Sequence, residues 1–285
     1  MKFYGVCPAS CGEFVQGFLD NEEYLSSYAI NLFSVATLEE GKEIIQKGPK
    51  KSRRAMELVF ERFGLPVDET KNISLNIKSQ IPVGKGMASS TADIGATIGA
   101  TLGLIKKELS SEEIAKLAST IEPTDSIYIE KNSIFNPLNG EVIRYLGNVK
   151  DLRVVILEPN STLNTMRIRK TPNYKKIKTQ NKEIIKISFS LLEEGIKSND
   201  MHKIGKASTF SSLANESIHK KEGLTKIIEI SKNYGAYGVN VAHSGTVVGI
   251  LIDKSMNDTR LIELLKNERL DSVYRKMYTS NIIDG

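Results

Sequence analysis

The amino-acid sequence predicts an α+β fold built from two halves. Segments of the first part combine β-branched and aromatic residues with turn-forming breaks, which is typical of strands. Beyond Pro159 the chain changes to longer stretches with helical periodicity, between which short strands are interleaved. A chain of 285 residues fits one large or two modest domains. We therefore predict an N-terminal mixed α+β domain at 1–160 and a C-terminal helical and β domain at 161–285.

Local signals predict the individual elements. Alternation from Ile73 to Ile77 indicates a strand that stops before Pro82, and Gly64 ends an amphipathic helix. A capping box at 110–113 begins another helix. In the first half we predict strands at 3–7, 13–18, 24–38, 73–81, 126–136, 141–146 and 152–157, and helices at 52–63, 88–104 and 110–121. In the second half we predict helices at 174–197, 200–215, 222–234 and 255–267, and strands at 237–252 and 271–280.

Composition limits the class of protein. The chain is 40% hydrophobic and 26% charged, which is typical of a globular protein with a buried core. The best candidate for a membrane span, IGATIGATLGLI at 94–105, is shorter than the roughly 18 apolar residues required. The N-terminal stretch lacks the apolar core of a signal peptide, and two cysteines without a secretion signal favour a reducing compartment. We therefore expect a cytoplasmic protein that does not bind a membrane.

The net charge of +5 suits either nucleic acid or a small anionic ligand such as a nucleotide phosphate. Much of it lies in 167–186, where a single acid, Glu183, faces many basic residues. We favour a solvated helical face for this stretch, with a basic rim near a phosphate site as the alternative. Nucleic-acid binding ranks third, because only Tyr174 is available there for stacking, so we predict no nucleic-acid partner. The basic residues are Arg167, Arg169, Lys170, Lys175, Lys176, Lys178, Lys182 and Lys186.

The most informative stretch is IPVGKGMASSTAD at 81–93. Gly84 and Gly86 follow a strand, and glycine lets the backbone turn tightly and approach a ligand closely. Two serines and a threonine at 89–91 then begin a helix, whose N-terminal N–H groups and dipole favour an anion such as phosphate. Lys85 would add a cation, and one of the serines a hydroxyl for a phosphate-bound Mg²⁺.

An ordinary capped helix after a strand is the alternative interpretation of this stretch. The composition of the helix argues against it, because each glycine costs about 1 kcal/mol relative to alanine in a helix. Stripes of small residues predict a central helix that packs closely on more than one side, and hence a rigid loop before it. The alanine stripe is Ala88, Ala92, Ala96 and Ala100, and the glycine stripe is Gly95, Gly99 and Gly103.

The pattern P-x-G-x-G-x-x-S-S at 82–90 resembles the nucleotide-phosphate loop of the GHMP kinases. Walker A, Rossmann and protein-kinase motifs are absent from the sequence. The usual form of the GHMP loop is P-x-G-x-G-L-G-S-S-A, and here Met87, Ala88 and Thr91 replace Leu, Gly and Ala. GVNVAHSGTVVGIL at 238–251 is similar to the third motif of these kinases, and PASCGEFVQGF at 8–18 to the first. Three motifs in the order of the family make the resemblance specific.

Within this family, CPASCGEFVQG, GKGMASSTADI, EPTDS and AHSGTV are most similar to the L-threonine kinases of cobalamin synthesis and propanediol utilisation. The resemblance implies a GHMP kinase fold, with an N-terminal half like domain 2 of ribosomal protein S5 and a ferredoxin-like C-terminal half. It implies an ATP- and Mg²⁺-dependent transferase that phosphorylates the hydroxyl of L-threonine to O-phospho-L-threonine, for the aminopropanol phosphate linker of cobalamin. The nucleotide-binding residues would be Pro82, Gly84, Lys85, Gly86, Met87, Ala88, Ser89, Ser90 and Thr91.

Two carboxylates follow a helix in IEPTDSIY. Phosphoryl transfer needs metal ligation, neutralised charge and an oriented hydroxyl more than covalent chemistry from the protein. The resemblance makes Asp125 the general base or electrostatic orienter of the acceptor hydroxyl, with an Asx turn or helix cap as the alternative. Lys85 joins it in the predicted catalytic set. Glu122 is predicted to hold Mg²⁺ with Ser90, and Glu113 is the rival carboxylate.

The first and third motifs are expected to face the acceptor. Cys7 and Cys11 in the first motif suggest a metal or redox pair, but the chain has no further cysteine and the spacing is not the usual redox one. We interpret them as small packed residues beside the pocket. The predicted substrate residues are Glu13, Gln16, Gly17, His243, Ser244, Gly245 and Thr246.

Three functions therefore compete. The first is a kinase acting on L-threonine, and the second is the same chemistry on homoserine or a sugar, which only pocket residues separate. The third is a non-catalytic member that binds a ligand or nucleic acid through its basic face. A binding module has no need to keep the phosphate-loop lysine and serines together with Asp125, which speaks against the third. Monomer and homodimer are both compatible with the sequence.

Overall fold

One antiparallel sheet of nine strands organises the part of the chain that the computed structural model describes, residues 1–20, 22–41, 47–162 and 174–284. The strands are β1 (Lys2–Leu19), β2 (Glu22–Glu40), β3 (Ile73–Ser79), β4 (Asn132–Asn136), β5 (Glu141–Gly147), β6 (Leu152–Glu158), β7 (Gly238–Val241), β8 (Val248–Asp253) and β9 (Lys276–Ile283). Their order is β1-β7-β8-β6-β9-β2-β4-β5, while β3 pairs with β2 and β1 also pairs with β2.

Helices cover both sides of this sheet. They are α1 (Lys50–Arg62), α2 (Ser89–Ile105), α3 (Ser111–Ile121), α4 (Tyr174–Gln180), α5 (Lys182–Ser198), α6 (Met201–Asn215), α7 (Leu224–Tyr234) and α8 (Asp258–Asn267), with 3₁₀ turns at Val67–Asn72 and Leu270–Ser272. The predicted capping box of α3 is confirmed: Ser110 Oγ accepts from the N–H of Glu113 at 3.2 Å, and the Glu113 carboxylate accepts from the N–H of Ser110 at 3.0 Å. In the described ranges no helix is both long and apolar enough to cross a membrane.

β1 runs through the first motif instead of ending at it. We predicted strands at 3–7 and 13–18 around a substrate-facing loop, but the pairing with β2 continues along the whole segment. Shifts of register between Pro8 and Ala9 and on either side of Glu13 accommodate the irregular sequence. Gly12 adopts a left-handed φ of +66°, where a Cβ would collide with the backbone of Ala242. The first motif is therefore a bulged strand.

The second half contains a β-α-β-β-α-β unit. Its strands lie in the order β7-β8-β6-β9, which is the ferredoxin-like arrangement that we predicted. Both edges of the unit pair with the β1–β2 hairpin, through Glu13 opposite Val241 and Ala29 opposite Ile283. A separate apolar core, which includes Val155 and Leu261, lies between this unit and its helices α7 and α8. β6 is the first strand of this unit, yet it ends before residue 160. The domain division at that residue, which stays a prediction, therefore assigns β6 to the other half.

Only part of the strand predicted at 126–136 is extended, because β4 begins at Asn132. The residues before it form turns in which Ile127, Tyr128 and Ile129 are buried. The Tyr128 hydroxyl donates to the carbonyl of Thr91 at 2.7 Å. Burial of these side chains, not strand pairing, accounts for the strand-like composition.

The single helix predicted at 174–197 is two helices, α4 and α5, which are separated at Asn181. The side-chain amide of Asn181 donates to the carbonyl of Ala214 at 2.8 Å, which ties the break to α6. The solvated face predicted at 167–186 is correct for the exposed Lys176, Lys182 and Lys186. It is wrong for Lys178, which is buried and donates to Glu23 at 2.6 Å. Arg167, Arg169 and Lys170 lie outside the described residues.

α2 is the central helix, as its stripes of small residues predict. Ala92, Ala96 and Ala100 are fully buried. The glycine stripe behaves less uniformly. A Cβ on Gly95 would collide with the ring of Tyr128, whereas Gly99 and Gly103 are half-buried and exposed. Close packing therefore requires glycine at one of the three positions.

We expect Gly99→Ala to raise the free energy of unfolding by up to about 1 kcal/mol, because alanine is the better helix former. The added Cβ would meet only Gly5 Cα, at 3.7 Å. Gly95→Ala should lower the free energy of unfolding by about 1–3 kcal/mol through overpacking. Chemical denaturation measures both changes. A Gly95→Ala variant as stable as the wild type would contradict the close packing of α2.

Candidate active site

The loop between β3 and α2 turns at two glycines and an alanine. Gly84 and Gly86 have φ values of +72° and +81°, which glycine adopts without strain. Ala88 stands at the position of the third glycine in the GHMP pattern and has a φ of +58°. The alanine keeps the glycine-like turn at a cost of about 1 kcal/mol. α2 then begins at Ser89, and its first N–H groups have no acceptor within the helix.

Segments from the first and third motifs hold this loop in place. The N–H of Thr246 donates to the carbonyl of Lys85 at 2.8 Å. The N–H of Ser10 donates to the carbonyl of Met87 at 3.2 Å. The three sequence motifs therefore meet in one packed structure, which restrains the loop before any ligand binds.

A cleft of about 290 Å³ opens over the loop. It brings together the predicted residues Glu13, Gln16, Gly84, Gly86, Met87, Ala88, Ser89, Ser90, Thr91, Glu122, Asp125 and Ser244. Leu25, Lys51, Val83, Pro123, Thr124 and Pro137 complete its lining. The predicted residues that do not line it are Pro82, Lys85, Gly17, His243, Gly245 and Thr246.

Lys85 does not point into the cleft, so this geometry corrects our prediction of a phosphate-facing cation at that position. The residue is buried, and its ammonium donates to the carbonyl oxygens of Pro159, Asn160 and Ser161 at 2.5, 3.1 and 2.8 Å. An ammonium has three donors, and these carbonyls use all of them. Lys85 therefore ties the phosphate loop to the chain that follows β6.

Lys51, and not Lys85, is the lysine that lines the cleft. It belongs to the first turn of α1, and its ammonium is 2.5 Å from the carboxylate of Glu122 and 3.3 Å from Ser90 Oγ. The Ser90 hydroxyl also donates to Glu122. Sequence reasoning missed Lys51 because its local pattern does not distinguish it from the neighbouring Lys50.

Glu122 and Ser90 fit a magnesium ion. Mg²⁺ prefers oxygen ligands and is usually held by one or two carboxylates together with substrate phosphates and water. One carboxylate and one hydroxyl, already in contact beside a helix N-terminus, are such a donor set. The rival Glu113 is elsewhere, since it caps α3 and pairs with Arg62 at 2.9 Å on the surface.

Asp125 lies on the turn after α3 and lines the cleft. Ser27 connects it to the hairpin: Ser27 Oγ donates to Asp125 Oδ1 at 3.2 Å, and the N–H of Ser27 donates to Ser126 Oγ at 3.1 Å. Glu13 is the cross-strand partner of Ser27. Ser27 therefore joins the turn that carries Asp125 to the hairpin position opposite Glu13.

His243 lies behind Glu13 and does not line the cleft, contrary to our prediction of a substrate contact. It is buried, and both its Nδ1 and its backbone N–H contact Glu13 Oε2, at 2.8 and 3.1 Å. Its Nε2 is 2.9 Å from Ser211 Oγ. The histidine therefore orients the Glu13 carboxylate. Gly17, Gly245 and Thr246 likewise pack against neighbouring segments instead of lining the cleft.

Cys7 and Cys11 are free and buried. Burial raises the pKa of the Cys11 thiol to about 12 and raises that of Cys7 further above the usual range. Since the thiolate is the species that binds metal and reacts, protonated thiols suit neither a metal site nor a redox pair. The two side chains fill space in the core, as we interpreted them from the sequence.

The fold and the cleft are those of a small-molecule kinase that transfers a phosphoryl group from ATP to a hydroxyl. Comparison with known proteins gives the family. The model of the GHMP kinases N-terminal domain matches residues 50–129, and that of the GHMP kinases C-terminal domain matches residues 192–279. The chain belongs to the GHMP kinase family.

Relatives and solved structures agree with this assignment. The L-threonine kinase of Salmonella typhimurium is 31% identical over 280 residues, which cover 98% of this chain and 93% of that protein. The L-threonine kinase of Citrobacter freundii is 28% identical over 98% of this chain and 96% of that protein. The mevalonate kinase structure from Methanococcus jannaschii aligns with a TM-score of 0.71 at 20% identity, over 100% of this chain and 99% of that one, which shows a shared fold.

Proposed function

We propose that the protein is an L-threonine kinase, which converts L-threonine and ATP into O-phospho-L-threonine and ADP. The observation that carries this proposal is the similarity to an L-threonine kinase along 98% of the chain, at 31% identity. The product would serve the aminopropanol phosphate linker of cobalamin, as the resemblance implies. We place the protein in the cytoplasm, a reducing compartment in which the two cysteines of the core stay free thiols.

Each part of the cleft has a proposed task. The loop at 82–88 and the N-terminal N–H groups of α2 bind the phosphates of ATP. Ser90 and Glu122 hold Mg²⁺, which neutralises phosphate charge when bound. Asp125 accepts a hydrogen bond from the acceptor hydroxyl and orients its oxygen towards the γ-phosphate, taking the proton as the new P–O bond forms.

Lys51 is the proposed cation for the phosphates, in place of Lys85. Lys51→Ala should lower kcat/KM for ATP by about 10- to 100-fold, because hydrogen bonds to charged groups contribute about 1.5–3 kcal/mol. Lys50→Ala, which changes an exposed lysine one position away, is the matched control and should behave as the wild type. Steady-state kinetics with ATP varied measure the effect. Equal kinetics in both variants would remove Lys51 from phosphate binding.

A substrate panel tests the proposed function. The protein is incubated with ATP, Mg²⁺ and L-threonine, L-serine, L-homoserine, mevalonate or galactose, and ADP release is followed. We expect the highest kcat/KM with L-threonine. Stimulation by homoserine but not by threonine would replace this proposal with homoserine kinase. ADP release that no acceptor stimulates would favour the non-catalytic alternative.

A further inference from the structure

Two residues with buried oxygen acceptors, Glu13 and Gln16, line the same cleft as Asp125. Each of them is 4% exposed. His243 makes its two hydrogen bonds to one oxygen of Glu13, Oε2, and so leaves Oε1 for another donor. The side-chain oxygen of Gln16 has no hydrogen-bond partner within the described ranges. A buried acceptor without a donor costs free energy, which a ligand with N–H groups would recover.

The orientation of the Gln16 amide follows from its neighbours. Its Nε2 donates to Glu23 Oε1 at 2.7 Å, and Lys178 donates to the same oxygen at 2.6 Å. An ionised carboxylate only accepts hydrogen bonds, so the amide nitrogen must face Glu23 and the amide oxygen must face away from it. Gln16 therefore offers an acceptor, and not a donor, to whatever binds beside it.

The charges around these residues also favour a cation. Glu23 has its own counter-ion, because the buried Lys178 pairs with it. The buried Lys221 has a Coulombic interaction with Glu13, but its ammonium donates its hydrogen bonds to Asn215 Oδ1 and the carbonyl of His219, at 3.3 and 3.2 Å. Within the described ranges Glu13 is bonded directly to His243 but to no lysine or arginine, and a buried carboxylate is stabilised when a ligand brings a positive group.

Glu13 and Asp125, the proposed base, line the same small cleft of about 290 Å³. Ser27 connects them, since it is paired with Glu13 across the hairpin and its Oγ donates to Asp125. A small ligand that contacts both carboxylates carries a cationic group and a hydroxyl, as a β-hydroxy amino acid does on adjacent carbons.

We propose that Glu13 and the side-chain oxygen of Gln16 form the subsite that binds the α-ammonium group of the acceptor. This inference rests on the proposed function and adds the cause of its specificity: the site selects β-hydroxy amino acids against hydroxy acids of the same skeleton. His243 positions Glu13 for this contact, and the Glu23–Lys178 pair positions Gln16.

The test compares L-threonine with 3-hydroxybutyrate, which keeps the hydroxyl and the carboxylate but lacks the amino group. The wild type should prefer L-threonine by a factor of about 100 or more in kcat/KM. Glu13→Gln should raise KM for L-threonine by about 10- to 100-fold, the range expected for hydrogen bonds to charged groups. It should affect the kcat/KM for 3-hydroxybutyrate much less, so that the preference for L-threonine over 3-hydroxybutyrate falls. Glu39→Gln, at an exposed site on the same hairpin, is the matched control.

A merely structural role of Glu13 would weaken both acceptors equally and leave their ratio unchanged, and that result would overturn the inference. Gln16→Met provides a second, independent measurement and decides the matter if Glu13→Gln does not fold. It should reduce the preference for L-threonine, and an unchanged ratio would again overturn the inference. Failure of the proposed function looks different, because the wild type itself would then fail to phosphorylate L-threonine in the substrate panel.

Discussion

Asp125→Asn is expected to lower kcat with L-threonine by about 10²- to 10⁴-fold, the usual contribution of a positioned general base. The amide has the size of the carboxylate but cannot accept the proton of the acceptor hydroxyl. Binding of ATP should survive, because the phosphate loop at 82–88 and the N-terminus of α2 remain. Rapid-quench or steady-state ADP release measures kcat, and equilibrium titration with a non-hydrolysable ATP analogue measures nucleotide binding.

The control for this variant is Asp68→Asn. Asp68 is exposed and pairs only with a surface lysine, Lys71, in the contacts that the structure describes for it. It should behave as the wild type in both measurements. Turnover at the wild-type rate in Asp125→Asn would remove Asp125 from the mechanism and leave it a structural role, to which its hydrogen bond from the Ser27 hydroxyl contributes.

Gly245→Ala is expected to raise KM for ATP more than tenfold and to lower the free energy of unfolding by about 1–3 kcal/mol, the usual cost of overpacking. The added Cβ would lie inside contact distance of Gly86 Cα and of the Lys85 carbonyl. Both neighbours are backbone atoms of the phosphate loop, so the loop must move for the methyl group to fit. ATP kinetics and thermal unfolding measure the two effects.

Gly103→Ala is the control for this variant, because it replaces a glycine in a place where the added methyl group causes no steric clash. A Cβ at this exposed position has only Phe3 Cδ1 near it, at 4.0 Å, so the variant should keep wild-type kinetics and be at least as stable. Should Gly245→Ala match this control in KM for ATP, the third motif would not hold the phosphate loop in the way that its hydrogen bonds to Lys85 indicate.

Local signals in the sequence predicted much of the fold correctly. The α+β class and the helix that begins at Ser111 follow from periodicity and capping, which act over a few neighbouring residues, whereas the ferredoxin-like half followed from the resemblance to the GHMP kinases. The errors share a cause. The segment at 126–131 has the composition of a strand because its side chains are buried, and burial depends on residues far along the chain.

The candidate site also combines residues that local motifs predicted with residues whose positions depend on distant parts of the chain. The sequence predicted a phosphate loop together with Glu122 and Asp125, and the structure brings these residues to one cleft. It selected Lys85 as the phosphate-facing cation and missed Lys51. Lys85 stands in the motif itself, yet three carbonyl groups of the chain after β6 bind its ammonium. Lys51 stands outside every motif and reaches the cleft only because α1 packs beside α2 and α3.

The sequence by itself determined the family of this protein and predicted its phosphate loop and the carboxylates that follow α3, because contiguous motifs carry all of these. Only the tertiary structure decided which side chains face the cleft. It shows that His243 contacts Glu13 and does not line the cleft. It also shows that Glu113 lies on the surface, in the capping box of α3. The physical reason is that the direction of a side chain is set by hydrogen bonds and packing between distant segments, such as β1 with the turn after β7, which no local pattern encodes.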